Sequence, residues 1–299
     1  MMPSVYSIFL GFICERERIR MARAKGKPAP WTEDKILQSY RFCNINRQHD
    51  RVTQWITKQI TLDYADHPQL WFNLIIARFI NWPPMLLALK QRGVFNEWDE
   101  NKFLACTSMA KMMDEKVFGA AYIVSTNGLK MDKDVYVATK VLRPLWDHRH
   151  LARITQSWAC GQWAEWLLSF NGIADFMCNQ IVTDYKYSEV LPRVLTKDWT
   201  TFCLAGPGTS RGLARLHGRP VDKRIPRLIC GSMLKMVRAQ VKKDAALRDD
   251  KVLVTVSGYY DDMNNLANSF CEFDKYMRAR NGEGRPKSGY TTHAEFYDV

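Results

Sequence analysis

The chain has no two cysteines at C-x-x-C spacing; its eight stand at 14, 43, 106, 160, 178, 203, 230 and 271, mostly in apolar surroundings. That argues against a zinc ribbon or a disulfide framework and fits buried thiols in a reducing compartment. No apolar run reaches the length of a membrane span. The opening MMPSVYSIFLGFICERERIR places apolar residues before charge, the reverse of a secretory signal. A cytoplasmic protein without a membrane partner is expected. Neither a G-x-x-x-x-G-K-[ST] phosphate loop nor a kinase glycine loop occurs, which argues against a self-sufficient kinase. The six histidines are dispersed, and His148 and His150 lack acidic companions, so no metal is expected.

What is present describes a globular chain with a surplus of positive charge. Of 299 residues 46% are hydrophobic and 25% charged, which is enough to build a substantial core. Lys and Arg number 43 against 31 Asp and Glu, a net +12 that favours a polyanionic partner. Nucleic acid is the first expectation, because phosphate contacts are the simplest use of such charge. With no repeat or low-complexity linker, the expected architecture is one mostly helical, all-α domain over 1–299, with minor short strands and a loose tail at 281–299.

Along the chain, residues 4–25 read as an amphipathic first helix broken by Pro28 and Pro30, after which Thr32 is a candidate N-cap. In ILQSYRFCNINRQHDRVTQWITKQI, residues Ile36, Tyr40, Cys43, Arg47, Asp50 and Arg51 recur at helical spacing. Arg41, Asn44, Arg47, Asp50 and Arg51 make that stripe polar, either a solvated face or a phosphate-facing one. The apolar helix at 68–91 carries Arg78 and Asn81 three residues apart and is kinked at Pro83 and Pro84. An arginine there needs a partner, for which Asp50 or Glu272 is a candidate, or a cleft. A short extended piece turns at Asn127-Gly128, and residues 102–116 and 132–142 read as helices. Beyond 226 come a basic helix to 249, a strand-like VLVTVSGYY at 252–260, and a last helix from 261 or 262 to Arg280. That helix carries Asn268, Glu272 and Lys275 as a second polar stripe.

The centre of the chain is 165–219. Its apolar helix breaks at Asn171 and Gly172 and restarts through Ile173, Phe176, Met177, Ile181 and Val182, a helical hairpin. Such a hairpin can be purely structural or can sit against a DNA backbone. Asp198 follows, then Gly206-Pro207-Gly208-Thr209-Ser210-Arg211-Gly212. Three glycines ahead of a helical pattern can present unpaired N–H groups to an anion beside Arg211, although the P-loop spacing is missing.

Several stretches together carry a resemblance: ERERIRMARAKGKPAPWTEDKILQSYRFCNINRQHDRVTQWI, LWFNLIIARFINWP, AYIVSTNG, FNGIADFMCNQIVTDYKY, AGPGTSRGLARLHGR and FCEFDKYMRARNGEGRPKSGY. In order over about 8–290, they resemble the all-helical family tied to hypermodified thymine in bacteriophage DNA. That family includes the helical domain of 5-hydroxymethyl-dUMP DNA kinases and the α-glutamyl/putrescinyl thymine pyrophosphorylases, or amino acid:DNA transferases. The resemblance implies a helix-hairpin-helix array like that of DNA glycosylases, with NGIADF at the hairpin and Asp198 near the place of their catalytic aspartate. Phe176 stands where bifunctional glycosylases carry a lysine, so Schiff-base lyase chemistry is not implied.

The implied activity is a transferase that replaces the phosphate or pyrophosphate of a modified 5-hydroxymethyluracil in DNA with an amine or amino acid. The base would be flipped out of the stack. The alternatives are a helical component of a DNA kinase system, using nucleotide and Mg²⁺ beside a kinase of the same pathway, and a non-catalytic DNA-binding module. A phage protein would act in its bacterial host. Within the implied site, Asp198 is the expected general base, with Glu272 and Asp274 behind it. Arg47, Arg51, Arg78 and Arg211, with Gly206, Gly208, Ser210 and the hairpin's Gly172, hold phosphate or DNA backbone. Asn44 and Asn81 read the base.

Overall fold

The structure, a computed structural model, describes residues 3–120, 124–154 and 159–284. It is helical throughout, with no strand among the described residues. Helices α1 (Val5–Ala24), α2 (Lys35–Ser39), α3 (Arg51–Ile56), α4 (Leu70–Ile80), α5 (Pro83–Gln91) and α6 (Glu100–Met112) make the first third. Then follow α7 (Lys133–Tyr136), α8 (Arg143–Asp147), α9 (Arg149–Ile154), α10 (Cys160–Leu168) and α11 (Asp175–Lys186). The chain closes with α12 (Pro207–Leu216), α13 (Arg227–Leu247), α14 (Lys251–Tyr259) and α15 (Met263–Arg280). Single π-helical segments extend α3 (Thr57–Thr61) and join α7 to α8 (Val137–Leu142). No helix among the described residues is long and apolar enough to cross a membrane.

The helices form two compact units. The described residues of the first are 3–50 and 200–284; those of the second lie within 51–199. The central stretch 165–219 is thus divided between them at Trp199.

In the first unit, α1, α12, α13, α14 and α15 surround a core of Phe9, Ile13, Leu213, Val237, Val256 and Phe270. Phe9 stacks on Phe270 at 4.5 Å and meets Phe273 edge-on at 5.2 Å. VLVTVSGYY is helical here. Asp250 caps α14 by accepting N–H bonds from Val252 and Leu253, while Leu253, Val256 and Tyr260 face the core at 3.6-residue spacing. Burial on that period outweighs the β preference of the valines. The cap after Pro30 is Asp34, which accepts from Ile36 and Leu37; Thr32 supports it by accepting from the Asp34 N–H.

The second unit is built on α4, whose eleven residues are all buried, as befits a helix apolar on every side. Its polar members are tied inside: Gln69 donates to Asn73, Asn73 to the Phe95 carbonyl, and Trp98 N–H to Gln69. The expected turn at Asn127-Gly128 is present, with φ of 51° and 82° and a Leu129 N–H bond to the Thr126 carbonyl. The part of the expected extended piece at 121–123, and the tail from 285, lie outside the described residues.

Candidate functional site

In the first unit the glycine segment is the N-cap and opening turns of α12, where an open loop was expected. Gly208 and Gly212, one turn apart, let α12 press onto α15. A Cβ at Gly208 would stand 2.4 Å from Cys271 Sγ, and one at Gly212 would stand 2.2 Å from the Phe270 carbonyl oxygen. Ser210 is buried and accepts the Ile225 N–H, so its hydroxyl is turned into the protein. Gly206 is the N-cap, and the first-turn N–H groups of Gly208 and Thr209 have no intrahelical acceptor.

Arg211 stands one turn further on, its side chain 38% exposed, and donates through Nε to Asp274 Oδ2 at 2.7 Å. Asp274, almost wholly buried, also accepts from Arg215 Nε at 2.8 Å. Arg215 in turn bonds Glu283 at 2.5 and 3.0 Å, and this pairing holds the Glu283 carboxyl well down, at about 2. Asp274 is therefore the buried hub of two arginines, of which Arg211 is the more exposed.

The expected helical stripe from Ile36 to Arg51 is interrupted. After α2 the backbone is extended at Tyr40, and the only helical turn before Asp50 is a 3-10 turn, Arg47–His49. This irregular segment is bolted to α15. Cys43 N–H donates to Glu272 Oε2 at 3.0 Å and Arg47 N–H to Asn265 Oδ1 at 3.0 Å. Glu272 also receives Lys275 Nζ at 2.7 Å, and that amine reaches the Arg41 carbonyl at 2.7 Å. Arg47 is buried and ion-paired to Asp50, whose other oxygen accepts the Asn44 N–H at 3.0 Å. Asn44 spends its amide on the His49 carbonyl. Burial pushes the Cys43 and Cys271 thiols up to about 12, so both are neutral and poor nucleophiles. Asn268, Cys271, Glu272 and Lys275 form a partly buried stripe along α15.

In the second unit Arg78 is buried and its partner is Asp184, not Asp50 or Glu272. Its Nε and Nη2 both bond the Asp184 carboxylate, Nη2 also reaches Thr53 Oγ1 at 2.9 Å, and Nη1 approaches Asn81 Oδ1 at 3.4 Å. Asn81 does not continue the helix: it is the left-handed C-cap of α4, with φ 46°. Arg51 opens α3 and is half-buried.

The hairpin is α10 and α11. Cys178 Sγ lies 3.6 Å from the Ala164 carbonyl, and the Tyr185 ring meets Trp163 edge-on at 4.9 Å. Gly172 turns the chain with φ 88°, and a Cβ there would sit 2.6 Å from Val141 Cγ2 in the π-helical segment. Asp198 caps α10, accepting Cys160 N–H at 2.8 Å and Gly161 N–H at 2.9 Å. Trp199, its neighbour, donates to the Lys186 carbonyl at the end of α11. Asp198 and Trp199 thus close the open end of the hairpin, about 14 Å of helix away from the Gly172 turn. Asp184 and Arg215 were missed by sequence reasoning, although a carboxylate between Ile181, Val182 and Tyr185 signals a buried partner.

No solved structure matches the chain. A 5-hmdU DNA kinase of Bacillus phage SP10 is 28% identical over 130 residues, 41% of this chain. The matched stretch covers only 20% of that kinase's length. The family described as "5-hmdU DNA kinase, helical domain" matches residues 3–285, nearly the whole chain. The chain belongs to the 5-hmdU DNA kinase helical-domain family.

Proposed function

We propose that this chain is a transferase module acting on 5-hydroxymethyluracil in DNA, as the helical part of a kinase-type modification system. The observation that carries the reading is the family match across 3–285. Exposed Arg227, Lys235, Lys242 and Lys243 on α13 fit contacts to a phosphate backbone. Arg211, beside the first-turn amides of α12, is the group suited to a phosphate carried by the modified base, because a guanidinium keeps its outward N–H edges when Nε is committed elsewhere. In this reading nucleotide and Mg²⁺ are co-substrates and a kinase of the same pathway is a partner.

A second reading is favoured by residues 206–212, which enter a helix and whose Gly208 and Gly212 serve packing, so that this segment does not cradle a nucleotide. Here the base arrives already (pyro)phosphorylated. An amine or amino acid attacks the exocyclic methylene carbon, a C–N bond forms, the C–O bond to the leaving (pyro)phosphate breaks, and a carboxylate takes the amine proton. Glu272, in the same unit as Arg211 and partly buried, is the candidate base.

Mass spectrometry of nucleosides separates the two. Wild-type chain is incubated with 5-hydroxymethyluracil duplex plus ATP and Mg²⁺, and separately with pyrophosphorylated duplex plus amines. Product in the first arm supports the kinase-type reading, and product in the second alone supports exchange. Arg211→Ala is expected to lose either product while keeping its melting temperature. No product from wild type in either arm would sink the enzymatic proposal.

A further inference from the structure

Val194 is 91% exposed, the highest figure among the exposed large hydrophobics of the described residues, and Leu195 beside it is 77% exposed. Scattered apolar residues on a surface need no explanation. The turn that carries this pair is fixed. The Pro192 carbonyl accepts the Leu195 N–H at 3.0 Å, the Thr196 N–H at 3.1 Å and the Thr196 hydroxyl at 2.9 Å. Leu191 and Thr196, on either side, are buried, and the Leu191 N–H bonds the Tyr185 carbonyl. Asp198 and Trp199 then anchor the segment to the ends of α10 and α11. The apolar tip is therefore held out into solvent by a preorganised base.

The tip is flanked by cations. Arg193 and Lys197 are exposed, and neither makes a hydrogen bond or ion pair with the described residues. The Arg193 guanidinium carbon lies over the Trp199 ring at 5.0 Å from its centroid, and the residue remains exposed. Lys186 lies over the same ring at 4.4 Å. The acidic side chains of the segment are Glu189, exposed, and Asp198, whose two oxygens each accept a backbone N–H.

We propose that the turn at 192–197 is a wedge for duplex DNA: Val194 and Leu195 enter the base stack while Arg193 and Lys197 hold the neighbouring phosphates. Apolar side chains inserted at a base step unstack it, and flanking cations supply the backbone grip that such insertion needs. Phosphates flank every base step and so meet cations on both sides of the tip, whereas a protein partner would need an apolar pocket with acidic groups placed to meet both. The inference rests on the DNA reading above and goes beyond it by naming the element that opens the duplex. An unstacking device fits chemistry that draws the modified base out of the stack into an enclosed site.

The test uses the full chain and a duplex carrying 2-aminopurine next to 5-hydroxymethyluracil, titrated over a series of salt concentrations. Wild type is expected to bind and to raise 2-aminopurine fluorescence. The double variant Val194→Ser, Leu195→Ser is expected to lose most of that rise with an unchanged salt slope and melting temperature. Arg193→Ala with Lys197→Ala is expected to flatten the slope by about 2, roughly 0.9 for each phosphate contact. A wild-type rise from the serine variant overturns the wedge and leaves the tip to a protein partner. Wild-type binding without any rise also overturns it while the DNA reading stands, and absence of wild-type binding overturns both.

Discussion

Arg78 and Arg211 are both arginines on helices, and their surroundings give them opposite fates. Arg78 is 2% exposed and spends its guanidinium on Asp184, Thr53 and Asn81. Removing it strands a carboxylate in the core of the second unit, so Arg78→Ala is expected to cost about 3–5 kcal/mol in a denaturant titration. Replacing both partners with apolar residues, Arg78→Met with Asp184→Leu, should recover most of that loss. A destabilisation below about 1 kcal/mol for the single variant would show that the pair is not a buried anchor. The Arg211 side chain is more exposed, and Asp274 retains Arg215 when Arg211 is lost, so its removal leaves the hub paired. The sequence marked Arg78 as expensive, but Asp184 lies 106 residues away and nothing local names it.

At the scale of elements, glycine is the ambiguous letter. Gly206 to Gly212 could equally have made an anion loop or a close helix contact, and the outcome depended on Phe270 and Cys271 lying opposite. Gly212→Ala would drive a Cβ into the Phe270 carbonyl region, so a loss of about 1–3 kcal/mol is expected from thermal or chemical melts. Gly231→Ala, inside α13 with nothing within 4 Å, is expected to gain about 0.5–1 kcal/mol. Equal effects at the two sites would contradict the packing account.

The helical reading of 4–25, the Asn127-Gly128 turn and the hairpin at Gly172 were legible because caps, turn residues and 3.6-residue spacing agreed there. The run at 252–260 was not, since its valines suit a strand while its burial follows a helix. Nor was the break between Ser39 and Arg47, which is imposed by bonds to Glu272 and Asn265 on a distant helix. The candidate site was legible as residue types and not as geometry. Arg47 and Arg78 are each buried against a carboxylate; for Arg78 the sequence leaves such pairing open beside ligand contact, and it does not single out Asp184.

At the scale of the molecule, charge bears on stability in acid and on association with polyanions. Glu283, held at about 2 by Arg215, contributes stability that is fully present above its ordinary value of 4.5. That contribution is lost as pH falls from about 4.5 towards 2, where the native carboxylate takes up its proton. Thermal melts across that window should steepen for wild type relative to Glu283→Gln; superimposable pH curves would show that the Arg215 contact carries no stability. The net +12 and the exposed lysines of α13 give a steep salt dependence to any DNA binding, whatever its sequence. Charge alone therefore does not distinguish a modified base from thymine.

The measurement that tests the central claim most directly is wild-type affinity for two duplexes that differ only in 5-hydroxymethyluracil against thymine, compared at each of several salt concentrations. Recognition of the hydroxymethyl group predicts tighter binding to the modified duplex by roughly fivefold or more, the scale of one hydrogen bond at about 1 kcal/mol, at every salt concentration. Equal affinities throughout would contradict the account and make the chain a DNA-binding module without interest in the modified base.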